Sequence, residues 1–167
     1  CQNGGAVPVI SKDFNAGHEK APKPEEFRSD DCEWFLHAVP CFVAETGKFD
    51  FYNRVVPYAD GGEATVYGHL RRALEFNLER MGADGLPCGL LADWNDCLKL
   101  GYHGESLFVA FQLRLGLTTY ADISKRLGKD DEAKWALEQR ETLDANIQKK
   151  CWDGKWFIWA IAEDGTV

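Results

Sequence analysis

Basic residues are the minority charge in this sequence: 19 Lys+Arg stand against 27 Asp+Glu, a formal net charge of −8 at pH 7. Binding to a phosphate backbone draws on clustered Lys and Arg, so nucleic acid is not an expected partner. Also missing is an apolar run of the roughly 18 residues that a membrane helix needs, and no membrane partner is expected. The six cysteines, at positions 1, 32, 41, 88, 97 and 151, form no Cys-x-x-Cys pair and no Cys/His spacing of a zinc site, so no metal is expected. Cys32, Cys41 and Cys97 lie among apolar or helical neighbours, where a free thiol behaves as a small hydrophobe. Reduced thiols in a cytoplasmic protein are the preferred reading, with His37 and His103 only weak partners for thiol catalysis. A Gly-rich phosphate loop is absent, and Cys1 to Ile10 lacks the basic and apolar regions of a signal peptide. The chain begins without Met and stops soon after a strand-like run, so it is expected to be a piece of a longer polypeptide.

What is present suits a packed domain. The 167 residues are 45% hydrophobic and 13% aromatic, too apolar for disorder. Residues 1–27 carry Gly4-Gly5, Pro8, Pro22 and Pro24 with no apolar period, and read as an irregular lead-in segment. Residues 28–167 read as the folded part, with four helices. The first starts at Asp30, which with Glu33 has capping-box spacing, runs through Trp34 to Ala44 despite Pro40, and stops at Gly47. Thr65 to Met81 repeats apolar residues at intervals of three and four, with Gly82 as its stop. The third helix spans about Gly104 to Leu127 and is apolar nearly all round, which predicts burial on both sides. The fourth, Asp131 to Lys150, turns Ala133, Ala136, Leu137, Leu143 and Ile147 inward. Trp152-Asp-Gly-Lys-Trp156 predicts a short C-terminal β-hairpin with a strand over Trp156 to Ile161. The fold class is all-α, because helices joined in series without alternating strands exclude a doubly wound sheet.

Chemistry concentrates between the second and third helices, in Gly85-Leu-Pro-Cys-Gly-Leu-Leu-Ala-Asp-Trp-Asn-Asp-Cys-Leu98. Connections of more than about 12 residues tend to be functional. Asp93 and Asp96 stand three apart, so a helical turn would set both carboxylates on one face beside Trp94 and Asn95. A carboxyl crowded by Trp and by a second carboxylate stays protonated nearer neutral pH and can serve as a general acid. The spacing equally allows Asp93 to cap a short helix while Trp94 packs in a core.

A longer pattern adds to this. Ser29-Asp-Asp-x-x-Trp34, Val56-Pro-Tyr58, Thr65-Val-Tyr-x-His-Leu70, Gly85-Leu-Pro87, Ala92-Asp-Trp-Asn-Asp-Cys-Leu98 and Gly104-Glu-Ser106, in this order, resemble the catalytic domain of the inverting β-glycoside phosphorylases of glycoside hydrolase family 94. The resemblance covers nearly all of 28–167 and implies part of an (α/α)6 barrel, about four of its helices. It implies that Asp96 is the general acid, that Trp94 helps hold the donor sugar, and that Asp93 supports the same site by contact or by capping. Cys32 and Asp84 stand where relatives often carry His.

The implied reaction is phosphorolysis of a cellobiose-type β-linked disaccharide or oligosaccharide to α-glucose 1-phosphate. An inverting hydrolase needs a second carboxylate to activate water. Phosphate is already anionic and needs none, so it enters as co-substrate and no cofactor is expected. The resemblance places the phosphate-binding groups on other barrel segments and implies a homodimer. Competing readings are a β-1,2-glucan phosphorylase or synthase-related domain, an inverting hydrolase, and a helical scaffold or sugar-binding module. Elsewhere Glu105 and Ser106 read as the start of the third helix, His69 as structural, and His103 as a possible pocket residue. Trp152, Trp156 and Trp159 read as buried rather than as a sugar platform, and Arg71 with Glu75 as a solvated pair.

Overall fold

The computed structural model describes residues 27–58, 61–95 and 97–167, so all but Phe27 of the expected lead-in segment lies outside the described residues. Four helices carry the fold: α1 (Phe35–Thr46), α2 (Val66–Leu78), α3 (Leu107–Arg126) and α4 (Asp130–Cys151). The apolar periodicity of the sequence explains why they pack. Helix α3 lies against the other three and buries Leu113, Leu117, Tyr120 and Ala121 completely. It forms a helical hairpin with α4, whose Ala133, Ala136, Leu143 and Ile147 face it as expected and whose Leu137 is half-buried. Gly116 in α3 permits the close approach of neighbouring helices: a Cβ there would stand 2.8 Å from Glu33 Oε2, 3.1 Å from Leu74 Cδ2 and 3.2 Å from Leu36 Cγ.

Helix ends follow local chemistry. Thr65 caps α2 by accepting the Gly68 N–H at 3.0 Å, and Ser106 caps α3 by accepting the Val109 N–H at 3.2 Å. Gly47 closes α1 in the left-handed region at φ 66°, where its N–H reaches Val43 O. Helix α1 runs through Pro40, since packing of Leu36 and Val43 offsets the missing backbone donor. The expected Asp30–Glu33 capping box does not form, because both side chains are drawn elsewhere: Asp30 accepts the Trp34 indole N–H, and Glu33 accepts from Asn77. Gly82 is also not the stop of α2, which ends at Leu78; its lack of a side chain serves the approach of Glu105, whose Cγ would lie 2.5 Å from a Cβ at that position.

Strand content is small and differs from expectation. Two-residue β3 (Glu105–Ser106) pairs antiparallel with β4 (Ala160–Ile161), and β1 (Val55–Pro57) pairs with β2 (Glu63–Thr65). The predicted C-terminal hairpin reduces to one bridge between Trp152 and Phe157, because the following strand segment is captured by β3. Its tryptophans are not buried: Trp152, Trp156 and Trp159 are all exposed. Of the described cysteines, Cys32, Cys88 and Cys151 are buried, whereas Cys41 and Cys97 are exposed, so burial holds for only one of the three thiols expected to be core. Arg71 does more than pair with Glu75: it also binds Glu132 of α4 and lies 3.3 Å over the Trp135 ring. None of the described helices is long and apolar enough to cross a membrane.

Candidate functional site

The segment between α2 and α3 is built from backbone clamps. Glu105 is buried, and its carboxylate accepts the N–H groups of Asp84 at 3.1 Å and Leu86 at 3.0 Å, which fixes the turn before Gly85-Leu-Pro87. Burial raises the pKa of Glu105 despite these bonds. From α4, Asn146 donates to Gly85 O at 3.1 Å, and Lys150 forms an ion pair with Asp84. Past Pro87 the chain is held from both sides. Gly89 N–H reaches Gly104 O at 2.6 Å and Leu90 N–H reaches Tyr102 O at 3.2 Å, while Ser29 Oγ–H reaches Gly89 O at 3.0 Å and Leu91 N–H reaches Phe27 O at 3.0 Å. Leu90 sits between these clamps at φ 58°, a left-handed conformation that costs a side-chain residue roughly 1 kcal/mol or more and persists where the surroundings enforce it.

These clamps bring Asp30 next to Asp93. Asp93 is buried, with Oδ1 accepting the Asn95 N–H at 2.7 Å and Oδ2 accepting the Ser106 hydroxyl at 2.6 Å. The first bond is an Asx-turn, and Asn95 makes another by accepting the Cys97 N–H at 3.2 Å. The described part of the segment is therefore held by side-chain-stabilised turns. Asp30 accepts the Trp34 indole N–H at 3.0 Å, and its pKa is raised first by burial and further by the nearby charge of Asp93.

Of the sequence-derived site residues, Asp93 and Trp94 have different surroundings. Asp93 contributes to a cavity of about 400 Å³ whose walls include Gly89, Leu91, Leu98, Leu100 and Tyr102. Trp94 is 67% exposed outside that wall, with its ring 6.2 Å from Phe108. Asp96 lies outside the described residues. Tyr102 enters the cavity wall in the place where His103 was a candidate, and His103 O accepts from the Cys88 thiol. His69 is structural, its Nε2–H donating to Val56 O at 3.0 Å. Sequence reasoning treated Ser106 only as a helix start and gave Asp30 and Trp34 no joint role. The Asp30-x-x-x-Trp34 spacing was the available signal, since residues four apart meet across a helical turn.

Over 143 residues the chain is 41% identical to N,N'-diacetylchitobiose phosphorylase of Vibrio proteolyticus, an alignment covering 82% of this chain and 17% of that protein. It is 28% identical over 148 residues to solabiose phosphorylase of Paenibacillus borealis, covering 86% and 19%. A cyclic beta-(1,2)-glucan synthase of Rhizobium meliloti (strain 1021) is 31% identical over 159 residues, covering 83% and 6%. The chain thus spans less than a fifth of the length of these relatives. Residues 9–167 match the glycosyl hydrolase 94 superfamily, catalytic domain, and the chain belongs to that family.

Proposed function

We propose that the polypeptide containing this chain carries out inverting phosphorolysis of a β-linked gluco-disaccharide or oligosaccharide, with Asp96 as general acid. One observation carries the assignment within the Asp-Trp-Asn-Asp segment. Both carboxylate oxygens of Asp93 are engaged as acceptors, by Asn95 N–H and Ser106 Oγ–H, and the group is buried. A carboxylate held this way organises a loop and has no free oxygen to present a proton. Asp96 is the remaining carboxyl of the segment. In the reaction a phosphate oxygen bonds to the anomeric carbon, the glycosidic C–O bond breaks, and the Asp96 proton passes to the departing oxygen. The product is an α-sugar 1-phosphate. Trp94, exposed beside Phe108, offers an aromatic face to the donor sugar. The four helices form part of an (α/α)6 barrel whose other segments supply the phosphate site, in a homodimeric cytoplasmic enzyme.

Beside a glucose disaccharide of the cellobiose type stands an N-acetylated counterpart, to which the 41% identity to a diacetylchitobiose phosphorylase gives weight. The test supplies the intact polypeptide with cellobiose, N,N'-diacetylchitobiose or β-1,2-linked glucans, with and without phosphate. Phosphate-dependent release of a sugar 1-phosphate is expected, and Asp96→Asn should abolish it while leaving the fold. Phosphate-independent release of free sugar would instead establish a hydrolase. Wild-type turnover in Asp96→Asn would move the acid elsewhere, and binding without turnover would favour a sugar-binding module.

A further inference from the structure

Strand β3 is two residues long, and both of its side chains are polar and buried. Successive side chains of a strand point to opposite faces, and here each face meets a different part of the segment between α2 and α3. On one side the Glu105 carboxylate accepts from Asp84 N–H and Leu86 N–H and so grips the turn of residues 82–86. On the other, Ser106 Oγ–H donates to Asp93 Oδ2 at 2.6 Å. The backbone between the two grips is paired on both edges. Cys88 pairs antiparallel with Glu105 and Ser106 N–H reaches Pro87 O at 2.9 Å, while Ile161 and Ala160 of β4 cover the other edge. Strand β3 is thus a short rigid link with the turn at one end and Asp93 at the other.

Burying a carboxylate is costly, and cohesion alone is served as well by an apolar side chain of the same volume. What the carboxylate adds is direction. Two backbone donors converge on one oxygen, Oε1, so the turn has one seat relative to β3. Gly82 keeps that seat open, because a Cβ there would stand 2.5 Å from Glu105 Cγ and 2.6 Å from its Cδ. The turn is itself fixed to the helices: Cys88 N–H reaches Arg80 O at 2.9 Å just past α2, and Asn146 of α4 donates to Gly85 O at 3.1 Å. Building on the phosphorylase reading above, we propose that Glu105 is a positioning residue for the reaction. Through β3 and the Ser106 hydroxyl it sets where Asp93, and the Asp-Trp-Asn-Asp segment that Asp93 anchors, stand relative to the helices.

The test measures kcat and KM of the intact polypeptide for Glu105→Ala, Glu105→Gln and Gly82→Ala, with phosphate and the disaccharide that the wild type turns over. Gly82→Ala keeps the carboxylate and displaces it, so it probes position rather than charge. Glu105→Ala and Gly82→Ala are expected to lower kcat at least about tenfold with KM changed less than about twofold, and Glu105→Gln, which keeps one acceptor oxygen, to recover most of the loss. Glu132→Gln, which takes the acceptor from Tyr120 far along α3, is the control for lost stability alone. Wild-type kcat in folded Gly82→Ala, or a loss no larger than that of Glu132→Gln, would overturn the proposal, and Gly82→Ala decides it where Glu105→Ala does not fold. Hydrogen exchange supplies a second readout that needs no substrate. In Gly82→Ala the Asn95 and Val109 amides, held by Asp93 and Ser106, are expected to exchange at least about tenfold faster. Faster exchange confined to residues 82–86 would overturn the positioning role. Should the wild type catalyse no phosphorolysis, the functional reading fails on its own, and the exchange pattern still decides whether Glu105 holds Asp93 in place.

Discussion

Glu33 is the residue whose chemistry departs furthest from its composition. A glutamate three residues after Asp30 suggests a solvated capping group; the side chain instead enters the core between α1, α2 and α3 and meets Asn77. Burial lifts its pKa from 4.5 to about 8. Between those limits the folded state holds a proton that the unfolded state has released, so unfolding releases it and stability falls as pH rises. The slope across this window is at most about 1.4 kcal/mol per pH unit, and it vanishes above the folded pKa. Denaturant titrations of the intact polypeptide at pH 5, 6, 7 and 8 should show the decline, and Glu33→Gln should flatten it. An equal slope in wild type and variant would assign the pH dependence to other carboxyls, Asp30 and Glu105 first, since burial raises both.

At the scale of elements, Ser106 joins the helix to the site. Its hydroxyl accepts from Val109 N–H at the first turn of α3 and donates to Asp93 Oδ2, so one atom both caps the helix and anchors the Asp93 to Asn95 turn. Ser106→Ala removes both bonds. A cap is worth about 1 kcal/mol, and leaving buried Asp93 one donor short adds about 1–3 kcal/mol. The expected outcome is that loss of stability together with a kcat at least about tenfold lower, with Ser106→Thr restoring most of both. Undiminished kcat in Ser106→Ala would show that the turn keeps its shape without this anchor. The helices themselves were legible, because apolar residues three and four apart fix their buried faces and Thr65, Ser106 and Gly47 mark their ends. The pairing of β3 with β4 was not, since two-residue strands leave no alternation to read and Glu105 and Ile161 pair although they stand 56 positions apart in sequence. Nor was the internal anchoring of Asp93: the four-residue motif announces carboxylates, whereas the hydroxyl that holds Asp93 comes from Ser106 at the start of α3.

Across the whole molecule, α3 separates two kinds of polar interior. Its N-terminal end carries the Asp93–Ser106 bond. At its other end Tyr120 Oη–H donates to Glu132 at 2.9 Å, Tyr67 Oη bonds Ser124 Oγ at 2.8 Å, and the two tyrosine rings stack with centroids 4.8 Å apart. Arg71 completes this end by binding Glu132 and covering Trp135, so α2, α3 and α4 are tied by one network. The helix has 20 residues, and at about 1.5 Å per residue its ends stand roughly 30 Å apart. Substitution in the distal network should therefore act on stability alone. Glu132→Gln takes a charged acceptor from both Tyr120 and Arg71, and the expected loss is about 1–2 kcal/mol, because the group is partly exposed and water compensates some of it. Chemical denaturation should report that loss, while KM and kcat of the intact polypeptide stay at wild-type values under conditions where the variant is fully folded. A changed KM in Glu132→Gln would mean that α3 transmits distal strain along its length to the Asp93–Ser106 end, and the two ends would then have to be treated as one coupled site.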